Sequence, residues 1–72
     1  MTEETKKQVL EHFTTLVQKA ILLKIITSLK DAYTFTCSYC GGLIKFCHLD
    51  IETMQKLYDI AYYEFKTLKA GE

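Results

Sequence analysis

Four residues in the middle of the chain have side chains that bind metal ions. Cys37 and Cys40 are separated by two residues, and the adjacent pair Cys47 and His48 follows them. Two thiolates at this spacing can bind one ion together, and a third thiolate with an imidazole completes a tetrahedral zinc site. We therefore predict one structural Zn²⁺ held by Cys37, Cys40, Cys47 and His48.

Two glycines, Gly41 and Gly42, come directly after the second cysteine. Glycine allows the backbone to turn tightly, and the amides of such a turn can donate hydrogen bonds to the thiolates. The run from Cys37 to Gly42 resembles the zinc knuckle of zinc-ribbon and treble-clef domains, whose common form is Cys-x-x-Cys-Gly. The resemblance covers only this short run, so it indicates a local metal-binding device and no family.

The second half of the predicted site departs from that pattern, because its two ligands are adjacent. Successive side chains of a strand point to opposite faces, so we expect Cys47 and His48 at a strand-to-helix junction. A second chain could supply the fourth ligand in place of His48, and so could three other residues of this chain: His12, Asp50 and Glu52.

The cysteines also allow other interpretations. A disulfide from Cys40 to Cys37 or to Cys47, or buried free thiols, is the main alternative to zinc. An odd number of cysteines, three, argues against a complete disulfide framework. Redox catalysis, an iron–sulfur cluster or a catalytic zinc is less favoured, because the chain shows no βαβ context, no fourth cysteine and no general base beside an open site.

Two segments have the periodicity of amphipathic helices. The first spans residues 3–29 behind a Thr2 N-cap, and the second spans residues 50–70 from an Asp50 N-cap. The first stripe consists of Val9, Phe13, Leu16, Ala20 and Leu23; the second consists of Ile51, Met54, Tyr58, Ala61, Phe65 and Leu68. Between them, the run Tyr33-Thr34-Phe35-Thr36 alternates aromatic residues with threonine, which is typical of a strand, and residues 43–46 can form a short return strand after the Gly41-Gly42 turn.

These elements predict one mainly α domain over residues 1–72. A long N-terminal helix leads into a metal-pinned β-hairpin or loop at residues 33–48, and a second helix returns antiparallel to the first as an αα-hairpin. The segment Ala20–Ile26 is apolar on nearly all sides, and one partner helix cannot cover it. We therefore expect a homodimer in which two chains form a helical bundle.

The charge balance narrows the class of partner. Nine lysines and nine acids give a net charge of zero, and arginine is absent. Without arginine or a net positive field, binding to nucleic acid through the zinc knuckle and the Lys19–Lys30 stretch is only the second hypothesis. No apolar run reaches the length of a membrane span, so no membrane partner is expected.

The function expected from these features is that of a small zinc-stabilised interaction, adaptor or regulatory protein without enzymatic activity. It would act through a protein partner and through self-association. A metal- or thiol-dependent enzyme is the least favoured alternative. The N-terminus lacks a signal-peptide pattern, which predicts an intracellular, cytoplasmic location. A composition without Pro, Arg, Trp or Asn is compatible with a viral or phage protein in a host cytoplasm.

Overall fold

The fold is known from a computed structural model, which describes residues 2–46 and 49–70. The described residues form three helices, α1 (Glu3–Leu22), α2 (Leu29–Phe46) and α3 (Ile51–Ala70). The prediction of a mainly α chain is confirmed. The β-hairpin predicted for residues 33–48 is wrong over 33–46, where the chain is helical, while positions 47 and 48 lie outside the described residues.

Helix α1 begins as predicted and ends earlier than predicted. The Thr5 amide donates to Oγ1 of Thr2, which is the predicted N-cap. At the other end, Lys24 has a φ of 64°, in the left-handed region that interrupts a right-handed helix. The Ile25 amide then donates to the Ala20 carbonyl at 2.8 Å and closes the last turn. The helix predicted to continue to residue 29 therefore stops at Leu22.

A capping arrangement starts α2 immediately after this break. The Asp31 amide donates to Oγ of Ser28 at 3.2 Å. In return, the Asp31 carboxylate accepts from the amide and hydroxyl of Thr27, at 3.1 and 2.7 Å. This reciprocal pattern satisfies amides that have no partner within the helix. The Ser-x-x-Asp spacing is therefore the sequence signal for a helix start, and it lies at the end of the first predicted helix, residues 3–29.

The burial pattern of α2 explains why this segment is a helix. Ala32, Thr36 and Cys40 follow one another at steps of four, and all are at most 4% exposed. The Thr36 hydroxyl donates to the Ala32 carbonyl at 2.8 Å, so its burial leaves no polar atom unsatisfied. The local strand preference of aromatic residues and threonine is weaker than the gain from burying this helical stripe.

The direction of the helices differs from the prediction. Lys6 contacts Asp50 near the start of α3, and Gln18 donates to Glu64 near its end, so α1 and α3 run parallel. The predicted antiparallel pairing of these two helices is wrong. Helix α2 runs antiparallel to both α1 and α3.

The core lies where the three helices meet. Phe13 is fully buried, with its ring centroid 4.9 Å from that of Tyr39 and 6.1 Å from that of Phe35. The most buried large residue of α3 is Leu57 at 0% exposure, whereas Ile51, placed in the predicted stripe, is 72% exposed. The buried hydrophobic residues are Phe13, Val17, Ala20, Ile21, Ile26, Ala32, Cys40, Leu49, Leu57, Ala61 and Phe65. Of the described helices, none combines the length and apolar character needed to cross a membrane.

Candidate functional site

The two described cysteines lie one helical turn apart on the side of α2 that faces α3. Cys37 is exposed, whereas Cys40 is 4% exposed. Burial raises the pKa of the Cys40 thiol, and the neighbouring Cys37 adds to that shift. Tyr58 of α3 lies beside both thiols; burial raises its pKa first, and the two thiols raise it further. Its ring also packs against Tyr33, with the centroids 5.9 Å apart.

This environment gives the two thiols different chemistry. A thiolate is the species that binds metal and attacks electrophiles, and the surroundings of Cys40 disfavour it. Cys40 therefore behaves as a small apolar core residue in this conformation. Cys37 is the accessible thiol, one turn away.

The predicted zinc ligands are only partly described. Cys47 and His48 lie outside the described residues. Helix α2 continues from Cys40 to Phe46, a rise of about 9 Å at about 1.5 Å per residue. One ion shared by Cys40 and Cys47 would therefore require the chain to reverse direction directly after Phe46. The four-ligand zinc site stays a prediction.

The alternative ligands do not join Cys37 and Cys40. Nδ1 of His12 lies 3.1 Å from the hydroxyl of Tyr39, on the side of α2 that faces α1. Across residues 2–46 and 49–70, no cluster of three or more His, Cys, Asp or Glu side chains could hold a metal ion. His12, Asp50 and Glu52 are therefore not grouped with the two cysteines.

Asp50 already has a structural role. Its carboxylate accepts the Thr53 amide at 2.8 Å as the predicted N-cap of α3, and it lies 3.3 Å from Nζ of Lys6. The hydrogen bonds from Thr53 hold the pKa of Asp50 well below its ordinary value, and Lys6 lowers it further. The carboxylate of Glu52 lies 3.6 Å from Nζ of Lys56, one turn further along α3.

The end of α1 carries a group of large apolar side chains that face solvent. Leu22, Leu23 and Ile25 are 68%, 70% and 62% exposed, and we call these three residues the corner patch. Ala20, Ile21 and Ile26 from the same segment are at most 4% exposed. The predicted all-round apolar segment is thus divided between the core of the chain and an uncovered surface.

Three lysines are close to this patch in the sequence. Lys19, Lys24 and Lys30 are all exposed and come from the end of α1, the connection and the start of α2. The positive stretch predicted from the sequence is therefore at the surface, next to apolar side chains.

The third helix presents two exposed tyrosines. Tyr62 and Tyr63 are 45% and 67% exposed, and Nζ of Lys66 lies 5.7 Å from the centroid of the Tyr62 ring.

Comparison of the chain with protein-family models, with curated proteins and with solved structures gives no match.

Proposed function

We propose that this chain is a small interaction protein without enzymatic activity, of the adaptor or regulatory kind, that acts through self-association and a protein partner. The observation that carries the proposal is the corner patch. Three large aliphatic side chains, each more than 60% exposed, occur within four residues where the chain turns from α1 to α2. Exposed apolar groups that cluster in this way mark interaction surfaces more often than isolated ones do.

Self-association is the simplest way to cover this patch. A chain of 72 residues buries a modest core, and a second copy adds apolar burial without any new sequence. Light scattering behind size exclusion at micromolar concentration should give the mass of a dimer. A monomer mass across the accessible concentration range would contradict the proposed self-association.

The role of the patch can be separated from a general effect of surface hydrophobicity. Leu23→Gln should weaken dimerisation and partner binding. Ile51→Gln, at an equally exposed isoleucine at the start of α3, is the matched control and should change neither. Equal effects of the two substitutions would show that the corner patch has no special role.

A structural zinc ion belongs to the same proposal. The thiol pair of Cys37 and Cys40 supports it, because both side chains lie on one side of α2 and one turn apart. Native mass spectrometry should detect one Zn²⁺ for each chain, and a chelator should lower the melting temperature. A metal-free native mass together with an unchanged melt would remove zinc from the proposal and leave the interaction role to be judged on its own test.

Binding to nucleic acid is the second candidate, favoured by the exposure of Lys19, Lys24 and Lys30 around one corner. Contacts between lysines and phosphates release counterions, so such binding would weaken steeply as salt increases. Fluorescence anisotropy with a single-stranded and a duplex oligonucleotide at two salt concentrations separates the candidates. Salt-sensitive binding that Lys24→Gln reduces would favour nucleic acid over a protein partner.

A further inference from the structure

A groove runs along α2, on the side that faces away from Cys37 and Tyr58, and it is bordered by the connection after α1 and by His12 of α1. It contains a cavity of about 280 Å³ near the corner patch and a second of about 410 Å³ near the middle of α1. The first is lined by Ile25, Ile26, Asp31, Thr34, Phe35 and Ser38, and the second by His12, Ser38, Tyr39, Gly42 and Leu43. Ser38 lines both cavities, so the two adjoin along α2.

The outer side of α2 lacks the charges that a solvated helix usually carries. Residues 32–44 contain no Asp, Glu, Lys or Arg, and charged residues return only at Asp31 and Lys45. The exposed positions of α1 and α3 carry acids and lysines throughout. A helix with a charge-free centre between charged ends resembles the core and rim of a protein interface.

The two glycines of this helix have no explanation among the described residues. Neither has a positive φ, and a Cβ added at Gly41 or Gly42 would meet no atom of the described part of the chain within 4 Å. Glycine inside a helix lowers stability relative to alanine, so the pair is a local cost. Glycine also permits the backbone of another chain to approach closely, and this explanation agrees with both observations.

We propose that the occupant of this groove is α2 of a second copy, packed antiparallel to the first about a two-fold axis beside Ser38. This inference rests on the self-association in the proposed function and assigns it to a surface. Ile25 belongs both to the corner patch and to the lining of the first cavity, so the groove and the patch form one interface.

The sizes of the side chains agree with this arrangement. A two-fold axis beside Ser38 places Thr34 opposite Gly42 of the second copy and Phe35 opposite Gly41. Each larger side chain thus meets a residue without a side chain. Neither Thr34 nor Phe35 meets a bulky residue of the second copy at these positions, so the two helices can pack closely.

The charges agree as well. The same axis places Asp31 at the start of α2 opposite Lys45 near its end in the second copy, and this pair occurs twice in the dimer. A parallel arrangement would bring Asp31 close to Asp31 and Lys45 close to Lys45. Charge complementarity therefore favours the antiparallel copy as the occupant.

Substitution at Gly42 provides the main test in the natural sequence. Gln is a better helix former than Gly, and the space around Gly42 is open in the single chain, so Gly42→Gln should keep or increase the helical circular dichroism signal. The added side chain would obstruct the second copy and should weaken dimerisation about a hundredfold. Gly42→Ala is the graded control with a smaller effect. Unchanged dimerisation of a folded Gly42→Gln chain would overturn the assignment.

Disulfide trapping tests the axis directly. In a background with Cys37→Ser, Cys40→Ala and Cys47→Ser that retains its helical signal, Ser38→Cys should form a covalent dimer about tenfold faster than Gln55→Cys on the exposed face of α3. Equal rates would contradict an axis beside Ser38. If the background does not fold, Gly42→Gln in the natural sequence decides the question.

The failure of this assignment can be distinguished from the failure of the proposed function. A natural chain that is monomeric by light scattering removes both. A dimer that is insensitive to Gly42→Gln but sensitive to Leu23→Gln leaves self-association in place and removes the groove as its site. A dimer that is sensitive to both supports one interface that spans the groove and the corner patch.

Discussion

Nζ of Lys6 on α1 lies 3.3 Å from Oδ2 of Asp50 at the N-cap of α3, and this ion pair joins the starts of two parallel helices. Asp50 also accepts the Thr53 amide, and both interactions favour its ionised form and hold its pKa below the ordinary value of 3.8. Conversely, Asp50 raises the pKa of Lys6, first through the hydrogen bond and then through its charge.

The first prediction concerns acid stability. A carboxyl group whose pKa is lower in the folded than in the unfolded chain contributes stability above about pH 3.8, and this contribution is lost as the pH falls toward its folded value. Asp50→Asn keeps an acceptor for the Thr53 amide but loses the ion pair, so its melting temperature should fall less between pH 6 and pH 2 than that of the natural chain. Asp59→Asn, at an exposed position of α3, is the control. A parallel decline in the natural chain and in Asp50→Asn would contradict the assignment.

The second prediction concerns the core. Phe13 is fully buried between Phe35 and Tyr39, so Phe13→Ala should lower the free energy of unfolding by about 3–5 kcal/mol. Tyr63→Ala, at an exposed aromatic residue, should change it by less than about 0.5 kcal/mol. Urea unfolding followed by circular dichroism measures both. A loss below about 1 kcal/mol for Phe13→Ala would show that this cluster is not the centre of the core.

The third prediction concerns the end of α1. Lys24 has a φ of 64°, which favours glycine over residues with a side chain. Lys24→Gly should therefore be more stable than Lys24→Ala by about 1 kcal/mol, a comparison in which both variants lack the lysine side chain. Lys7→Gly and Lys7→Ala inside α1 should show the opposite order by a similar amount. If Lys24→Ala were instead more stable than Lys24→Gly, as expected at position 7, that result would argue for a continuous helix through residue 24.

The fourth prediction concerns the start of α2. Ser28 accepts the Asp31 amide, so Ser28→Ala should lower the free energy of unfolding by about 1 kcal/mol. Thr67→Ala, at an exposed position within α3, should change stability little. A melting temperature that Ser28→Ala leaves unchanged would mean that the reciprocal cap does not determine where α2 begins.

The fifth prediction concerns thiol reactivity. Cys37 is exposed, whereas Cys40 is buried with a raised pKa, so iodoacetamide should alkylate Cys37 about tenfold faster than Cys40 at neutral pH. In urea the two rates should converge. Peptide mass spectrometry after timed quenching measures both rates. A bound zinc ion would instead protect the two thiols together, and that pattern, abolished by a chelator, would support the metal site.

The sequence by itself determined the features that depend on neighbouring residues. Thr2 and Asp50 cap the helices that they were predicted to start, because a cap needs only the amides two or three positions ahead. Within the first predicted stripe, Phe13 and Ala20 are buried as the periodicity predicted, whereas Leu23 at its end is 70% exposed. The exposure of Tyr62 and Tyr63 also agrees with their positions beside the stripe of α3.

Tertiary structure decided the identity of α2 and the direction of α3. Residues 33–36 alternate as in a strand. The segment is a helix because α1 and α3 offer a surface against which the helical stripe of Ala32, Thr36 and Cys40 is buried. Inserting this helix reverses the chain once more, so α3 runs parallel to α1. The same packing places the Cys40 thiol in the core and leaves Cys37 at the surface, a difference that their spacing in the sequence does not contain.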